Sequence, residues 1–235
     1  MTSIAAEGRR GAPVPDQPAA YTAPGLSLGG AASIFARCLN ARLIAAVLVV
    51  AAVARLVVGG WTTTDAIVAA VILALEPLTE WVIHVTILHL RPFTVRGRTI
   101  DLYIAKRHRR HHQDPRVIRH VLIPRPVVIR LLVFSVPLYW LVTPTIRTGL
   151  TALVTAYAML LTYEWTHFLI HSTYQPRSWY YRYIHRAHRL HHYKNEKYWF
   201  GVTVHVADHV LRTFPAKDAV EPSPTARTLG VDSAA

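Results

Sequence analysis

The sequence predicts an all-α integral membrane protein of about four transmembrane helices, with a histidine-rich helical cap on the cytoplasmic side. Three observations carry that prediction: apolar stretches close to bilayer length, basic blocks alternating with them, and histidines gathered where the stretches end. The chain of 235 residues suits one domain with an interior of its own. It is 52% hydrophobic and only 17% charged, with a mean hydropathy of +0.24, which is apolar for a water-soluble domain. Its 26 Lys and Arg outweigh 13 Asp and Glu for a net charge of +13, so an anionic partner or surface is required. The single cysteine, Cys38, rules out a disulfide scaffold within the chain.

Residues 1–38 scatter Pro13, Pro15, Pro18 and Pro24 among Ala, Gly and Ser, and read as a disordered N-terminal tail. No apolar run follows Arg9 and Arg10 promptly enough for a secretory signal. The first apolar stretch runs from Leu43 to Trp61 and carries Arg55. The second runs from Ala66 to about Leu90 with Glu76 and Glu80, the third from Val127 to Val142 with Arg130, and the fourth from Leu150 to Ile170 with Glu164. A helical span takes roughly 20 apolar residues, so the first and third stretches are at the short end. Residues 216–235 read as a second disordered tail, leaving 39–215 as the organised domain.

Charge sets the orientation. Residues 91–126 hold ten Lys and Arg and the segment after Ile170 holds nine, whereas Gly59 to Asp65 holds none and Thr143 to Thr148 only Arg147. That asymmetry predicts four spans with both termini and the histidines in the cytoplasm. A nucleic-acid binder would be basic too, but would not alternate its basic blocks with bilayer-length apolar runs, so no nucleic-acid partner is expected. The surplus charge suits acidic lipid headgroups.

The histidines fall at or beyond the cytoplasmic ends of the stretches. His167 and His171 are four apart and lie on one helical face. His108, His111 and His112, and likewise His188, His191 and His192, recur at i, i+3 and i+4, so each triplet can grip one metal or straddle two. His84 and His89 are five apart, which overshoots a shared α-helical face and predicts a wide or broken turn. These ten imidazoles suit two metals at about five ligands each. Five nitrogens leave an octahedral ion one open position, as dioxygen chemistry requires, whereas a closed zinc site usually stops at four. Two iron ions are therefore expected, with zinc as a possible substitute.

The motifs E-W-V-I-H-V-T-I-L-H (80–89), H-R-R-H-H-Q-D-P (108–115) with V-L-I-P (121–124), E-W-T-H-F-L-I-H (164–171) and H-R-L-H-H-Y-K-N-E-K-Y-W-F-G-V-T (188–203) complete the pattern. Over about residues 75–213 the chain resembles the membrane fatty acid hydroxylase and sterol desaturase superfamily. H-H-Y-K-N, F-G-V-T and the D-P after the second box look most like fatty acid 2-hydroxylases. The resemblance implies a di-iron centre, dioxygen as co-substrate, a lipid or fatty acyl substrate, insertion of oxygen into its C–H bond, and electrons from a separate donor protein. Leu211 and Arg212 before Thr213 depart from the pattern and put the packing of the terminal helix in question. His205 and His209 have no counterpart in the boxes, and with His120 and His185 they read as ordinary polar residues or as supports behind the ligands.

Glu80 and Glu164 each precede a ligand histidine by about a turn, so each is a candidate to fix an imidazole tautomer. Arg186, Arg189 and Lys194 are candidates to hold a substrate headgroup. Two rivals stand beside the acyl hydroxylase: a carotenoid or sterol hydroxylase or desaturase of the same superfamily, and a membrane metal-binding or transport protein. Transport would need ionisable residues partway through the spans, where only Arg55, Glu76 and Arg130 approach.

Overall fold

The computed structural model describes residues 17–231. In chain order these form α1 (Ala19–Thr22), α2 (Leu28–Arg37), α3 (Leu39–Val58), α4 (Thr63–Ile83), a π-helical turn (His84–Leu88), a hairpin of β1 (Phe93–Val95) and β2 (Arg98–Ile100), α5 (Tyr103–Gln113), α6 (Ile118–Val121), α7 (Arg125–Val142), α8 (Ile146–His171), α9 (Trp179–Tyr193), α10 (Val206–Val210) and a 3₁₀ turn (Lys217–Ala219). The hairpin turns through Arg96 and Gly97, both at positive φ, as a two-residue connection between right-twisted strands requires.

Three helical segments are long and apolar enough to cross a membrane: Leu39–Val58, Thr63–Leu88 and Ile118–Val142. The fourth expected stretch forms α8, which is the longest helix at 26 residues yet carries Thr148, Thr151, Thr155, Thr162, Glu164, Thr166 and His167. It can carry them because it packs among α3, α4 and α7: Thr148, Thr151, Glu164, Thr166 and His167 are buried in protein, while Thr155 and Thr162 donate to carbonyls of their own helix at 2.9 and 2.8 Å. One shared core joins Ile44 and Ala51 of α3, Val128 of α7, and Leu153 and Tyr157 of α8.

At the end remote from the histidines a capping box opens α4: the Thr62 side chain accepts from Asp65 N–H, while Thr62 N–H donates to the Asp65 carboxylate. The same carboxylate pairs with Arg55 at 3.0 Å, and Arg55 Nε donates to Thr151 Oγ1 at 2.8 Å. The arginine in the first apolar stretch is thus consumed in joining α3, α4 and α8.

Both expected tails need correction. Residues 17–38 are folded: Ser27 caps α2, and Tyr21, Ala31, Ile34 and Phe35 are buried against Ile118, Leu122, Phe168 and Leu169. Few apolar residues suffice there because they share one face. Residues 216–231 are folded too, with Val220, Ala226 and Leu229 buried. Ser223 N–H donates to Lys194 O at 2.7 Å, and Thr225 Oγ1 donates to Glu196 at 2.5 Å. The folded chain therefore extends beyond 39–215 at both ends, and the expectation of disorder for 1–16 and 232–235 lies outside the described residues.

Candidate metal centre

The four histidine-bearing segments converge at one end of the helices. His84 and His89 bracket the π turn, whose closing bond runs from His89 N–H to His84 O at 3.1 Å. The wider i→i+5 turn is the irregularity their five-residue spacing predicts, and it brings the ring centroids to 4.9 Å. Arg109 fastens α5 beside this turn: its Nη1 donates to Leu90 O at 3.0 Å and its Nη2 reaches both Asp101 oxygens, at 2.5 and 2.6 Å.

The ten histidines form two groups of five. His84, His89, His108, His112 and His191 make one, and His111, His167, His171, His188 and His192 the other; within each group the ligand atoms all lie within 4.8 Å of one another. Each triplet straddles the groups. Its i and i+4 rings serve one group and its i+3 ring the other, because positions i+3 and i+4 diverge by about 100° around a helix. His112 and His192 stack at 4.1 Å between centroids where the groups meet. Among the described residues His120, His185, His205 and His209 join neither group.

Backbone carbonyls set the tautomers. His84 Nδ1 donates to Phe200 O at 2.6 Å, His112 Nδ1 to Ala226 O at 2.8 Å and His191 Nδ1 to Tyr198 O at 2.8 Å. With the proton on Nδ1, each Nε2 presents a lone pair to the centre. Burial pushes His112 and His191 down to about 3, and burial reinforced by neighbouring rings holds His108, His111, His188 and His192 well below the usual histidine range. The rings are neutral, the form that binds metal.

The side chains fit a pair of cations. His84 Nε2 and His112 Nε2 each lie 3.2 Å from His108 Nε2, although the first two are both lone pairs. His171 Nε2 and His192 Nε2 each lie 3.0 Å from His188 Nε2. His89 Nε2, both His111 nitrogens, His167 Nε2 and His191 Nε2 are buried with no hydrogen-bond partner. Convergent, unpartnered lone pairs in a dry interior are costly unless a cation accepts them.

The expected roles of Glu80 and Glu164 change, because neither carboxylate hydrogen-bonds a histidine. Glu80 accepts from Val202 N–H, from Thr203 N–H at 3.2 Å and from Thr203 Oγ1 at 2.5 Å, while Glu164 accepts from Ile123 N–H at 2.8 Å. Glu80 therefore acts on the loop that supplies the Phe200 carbonyl. Asp208 holds the same loop, accepting from Phe200 N–H at 3.0 Å, Gly201 N–H at 2.8 Å and Thr213 Oγ1 at 2.6 Å. Thr213 keeps its place despite Leu211 and Arg212, since Arg212 adopts a positive φ of 60°. Sequence reasoning missed the supporting carbonyls of Tyr198, Phe200 and Ala226, which no residue type announces.

Of the expected headgroup residues, Arg186 and Arg189 are exposed on α9, and Arg189 lies over the Tyr193 ring at 5.2 Å. Lys194 is engaged elsewhere, donating from Nζ to Lys217 O at 2.5 Å.

A family model described as fatty acid hydroxylase matches residues 69–213. Among solved structures, full-length scs7p, of which only the hydroxylase domain is visible, is similar with a TM-score of 0.60 and 20% identity. The match covers 77% of this chain and 66% of that one, and it is a likeness of fold. No curated protein matches the sequence.

Proposed function

The chain belongs to the fatty acid hydroxylase family, and from that premise we propose that it is a membrane-embedded, oxygen-dependent lipid hydroxylase with two iron ions that acts on a fatty acyl chain. The single observation carrying this reading is the sorting of ten imidazoles, nine of them buried, into two groups of five. Iron held by those groups would supply the oxidant for an unactivated C–H bond, which has neither an acidic proton nor a carbonyl to polarise, using dioxygen and electrons from a separate donor protein.

The protein's own contribution is orientation and exclusion of water. The carbonyls of Phe200, Tyr198 and Ala226 hold the Nδ1 protons of His84, His191 and His112, so the ligand lone pairs are aimed before any metal arrives. The Phe200 ring lies 5.5, 5.6 and 5.3 Å from those of His84, His89 and His191 and keeps that face dry. The centre lies at the His84 and His171 ends of the membrane-length helices, so an acyl chain would reach it from the bilayer, on the cytoplasmic side by the charge asymmetry. Exposed Arg186 and Arg189 would meet an anionic headgroup there. A metal-transport reading loses support because Arg55, one of the few ionisable groups within the spans, is paired with Asp65.

Purified protein is expected to carry about two iron ions per chain, and expressing cells to accumulate an oxygen-dependent hydroxylated acyl lipid, read by metal analysis and lipid mass spectrometry. Product that persists in a variant combining His108→Ala and His188→Ala would overturn the proposal. Hydroxylated or desaturated sterol or carotenoid in place of acyl product would reassign the substrate class.

A further inference from the structure

A cavity of about 580 Å³ lies away from the histidines, between α2, α5, α6 and the first residues of α3 and α7. Four arginines line it, Arg37, Arg107, Arg119 and Arg125, and among the described residues no carboxylate does. None of the four forms an ion pair among the described residues. Arg37, Arg119 and Arg125 are exposed and their side chains make no hydrogen bond among the described residues. Arg107 is half-buried; its Nη2 donates to Arg119 O, while its Nε is buried with no partner. Like charges brought this close without a counter-charge repel one another, so the arrangement favours an anion between them.

The place of the cavity narrows the choice of anion. It opens where two membrane-length segments begin, at Leu39 and at Ile118, which is headgroup depth if those segments cross a bilayer. Its remaining wall includes Ile34, Leu39 and Leu122, so an apolar surface adjoins the guanidinium groups on the membrane side. Guanidinium groups bind phosphate oxygens in pairs, and basic pockets between transmembrane helices favour anionic lipid headgroups.

We propose that this cavity is a binding site for the phosphate of an anionic membrane phospholipid, held by Arg37, Arg107, Arg119 and Arg125 with the start of its acyl chains against Leu39 and Leu122. The volume falls within the range of small-molecule sites, and the site is separate from the metal centre although α5 contributes to both. Arg107 points to the cavity from the helix that carries His108, His111 and His112.

The test uses the whole metal-loaded protein in detergent micelles, titrated with dioleoyl phosphatidylglycerol or dioleoyl phosphatidylcholine and read by native mass spectrometry and thermal unfolding. Phosphatidylglycerol is expected to be retained and to raise the unfolding temperature, and phosphatidylcholine not. The triple variant Arg37→Gln, Arg119→Gln, Arg125→Gln should weaken phosphatidylglycerol binding by about tenfold or more. A control with Arg96→Gln, Arg98→Gln and Lys197→Gln removes equal charge elsewhere and should bind like the parent. Equal retention of both lipids, or equal weakening by both triple variants, overturns the proposal. So does full protection by millimolar inorganic phosphate alone, which would make the ligand a soluble phosphate. If the triple variant does not fold, single Arg37→Gln and Arg125→Gln variants carry the test, with a few-fold weakening each expected and unchanged binding counting against the site.

Discussion

At the scale of single residues, the two buried glutamates separate support of the fold from direct service to the metals. Glu80 accepts from three donors on Val202 and Thr203, whereas Glu164 accepts only from Ile123 N–H. Glu80→Ala removes the acceptor from all three and should cost about 1–3 kcal/mol of stability, seen as a lower unfolding temperature of the metal-loaded protein. Glu164→Gln keeps the one oxygen that is used and should cost less. If Glu80 instead fixed an imidazole tautomer, its substitution would reduce bound metal without that loss of stability. The ten histidines that gather into two groups were readable from their spacing, eight by helical periodicity and His84 and His89 by an interval that an α-helix does not accommodate. The partners of Glu80 were not, because they lie more than a hundred residues away and two of the three are backbone amides, which no residue type announces.

At the scale of elements, the π turn and the 199–203 loop govern the first histidine group. Inserting one Ala after Thr86 rotates His89 by about a further 100°, so bound metal should fall from about two toward one per chain while the second group keeps its ion, as metal analysis would read. Gly201 offers a complementary probe: a Cβ there would meet the Val204 carbonyl, His205 Nδ1 at 2.8 Å and Asp208 Oδ2 at 3.1 Å. The loop would have to shift and take the Phe200 carbonyl from His84, so Gly201→Ala should cost about 1–3 kcal/mol and lower metal content, measured by unfolding and metal analysis. The wide turn at 84–89 was readable from a spacing that no α-helix accommodates. Helix α2 was not, since Gly29 and Gly30 open it with little helical signal and its worth lies in burying Ile34 and Phe35 against α8.

At the scale of the whole molecule, burying so many imidazoles makes the metal-free protein sensitive to acid. His112 and His191 titrate near 3 when folded, against about 6.5 when the chain is unfolded. The unfolded state therefore takes up protons first: the stability these rings allow is complete above about pH 6.5 and is lost as pH falls from there toward 3. Chelator-treated protein should be less stable at pH 5.5 than at pH 7.5 by about 1.4 kcal/mol for each of the two rings, measured by unfolding at both values. Helices long and apolar enough to cross a membrane were legible from apolar length, three of the four stretches qualifying. The folding of 216–231 was not, because its Pro, Ser and Thr carry no periodic pattern and its value to the fold is a few contacts with the end of α9.

Those contacts include the Ala226 carbonyl, which lies 114 positions along the chain from the ring of His112 that it orients. All ten imidazoles precede residue 193, yet the acceptors of three of them, the carbonyls of Tyr198, Phe200 and Ala226, come later in the chain. The segment that follows α9 thus reaches back to the pocket, and shortening the chain before residue 226 would leave that of His112 free to turn although every imidazole remained present.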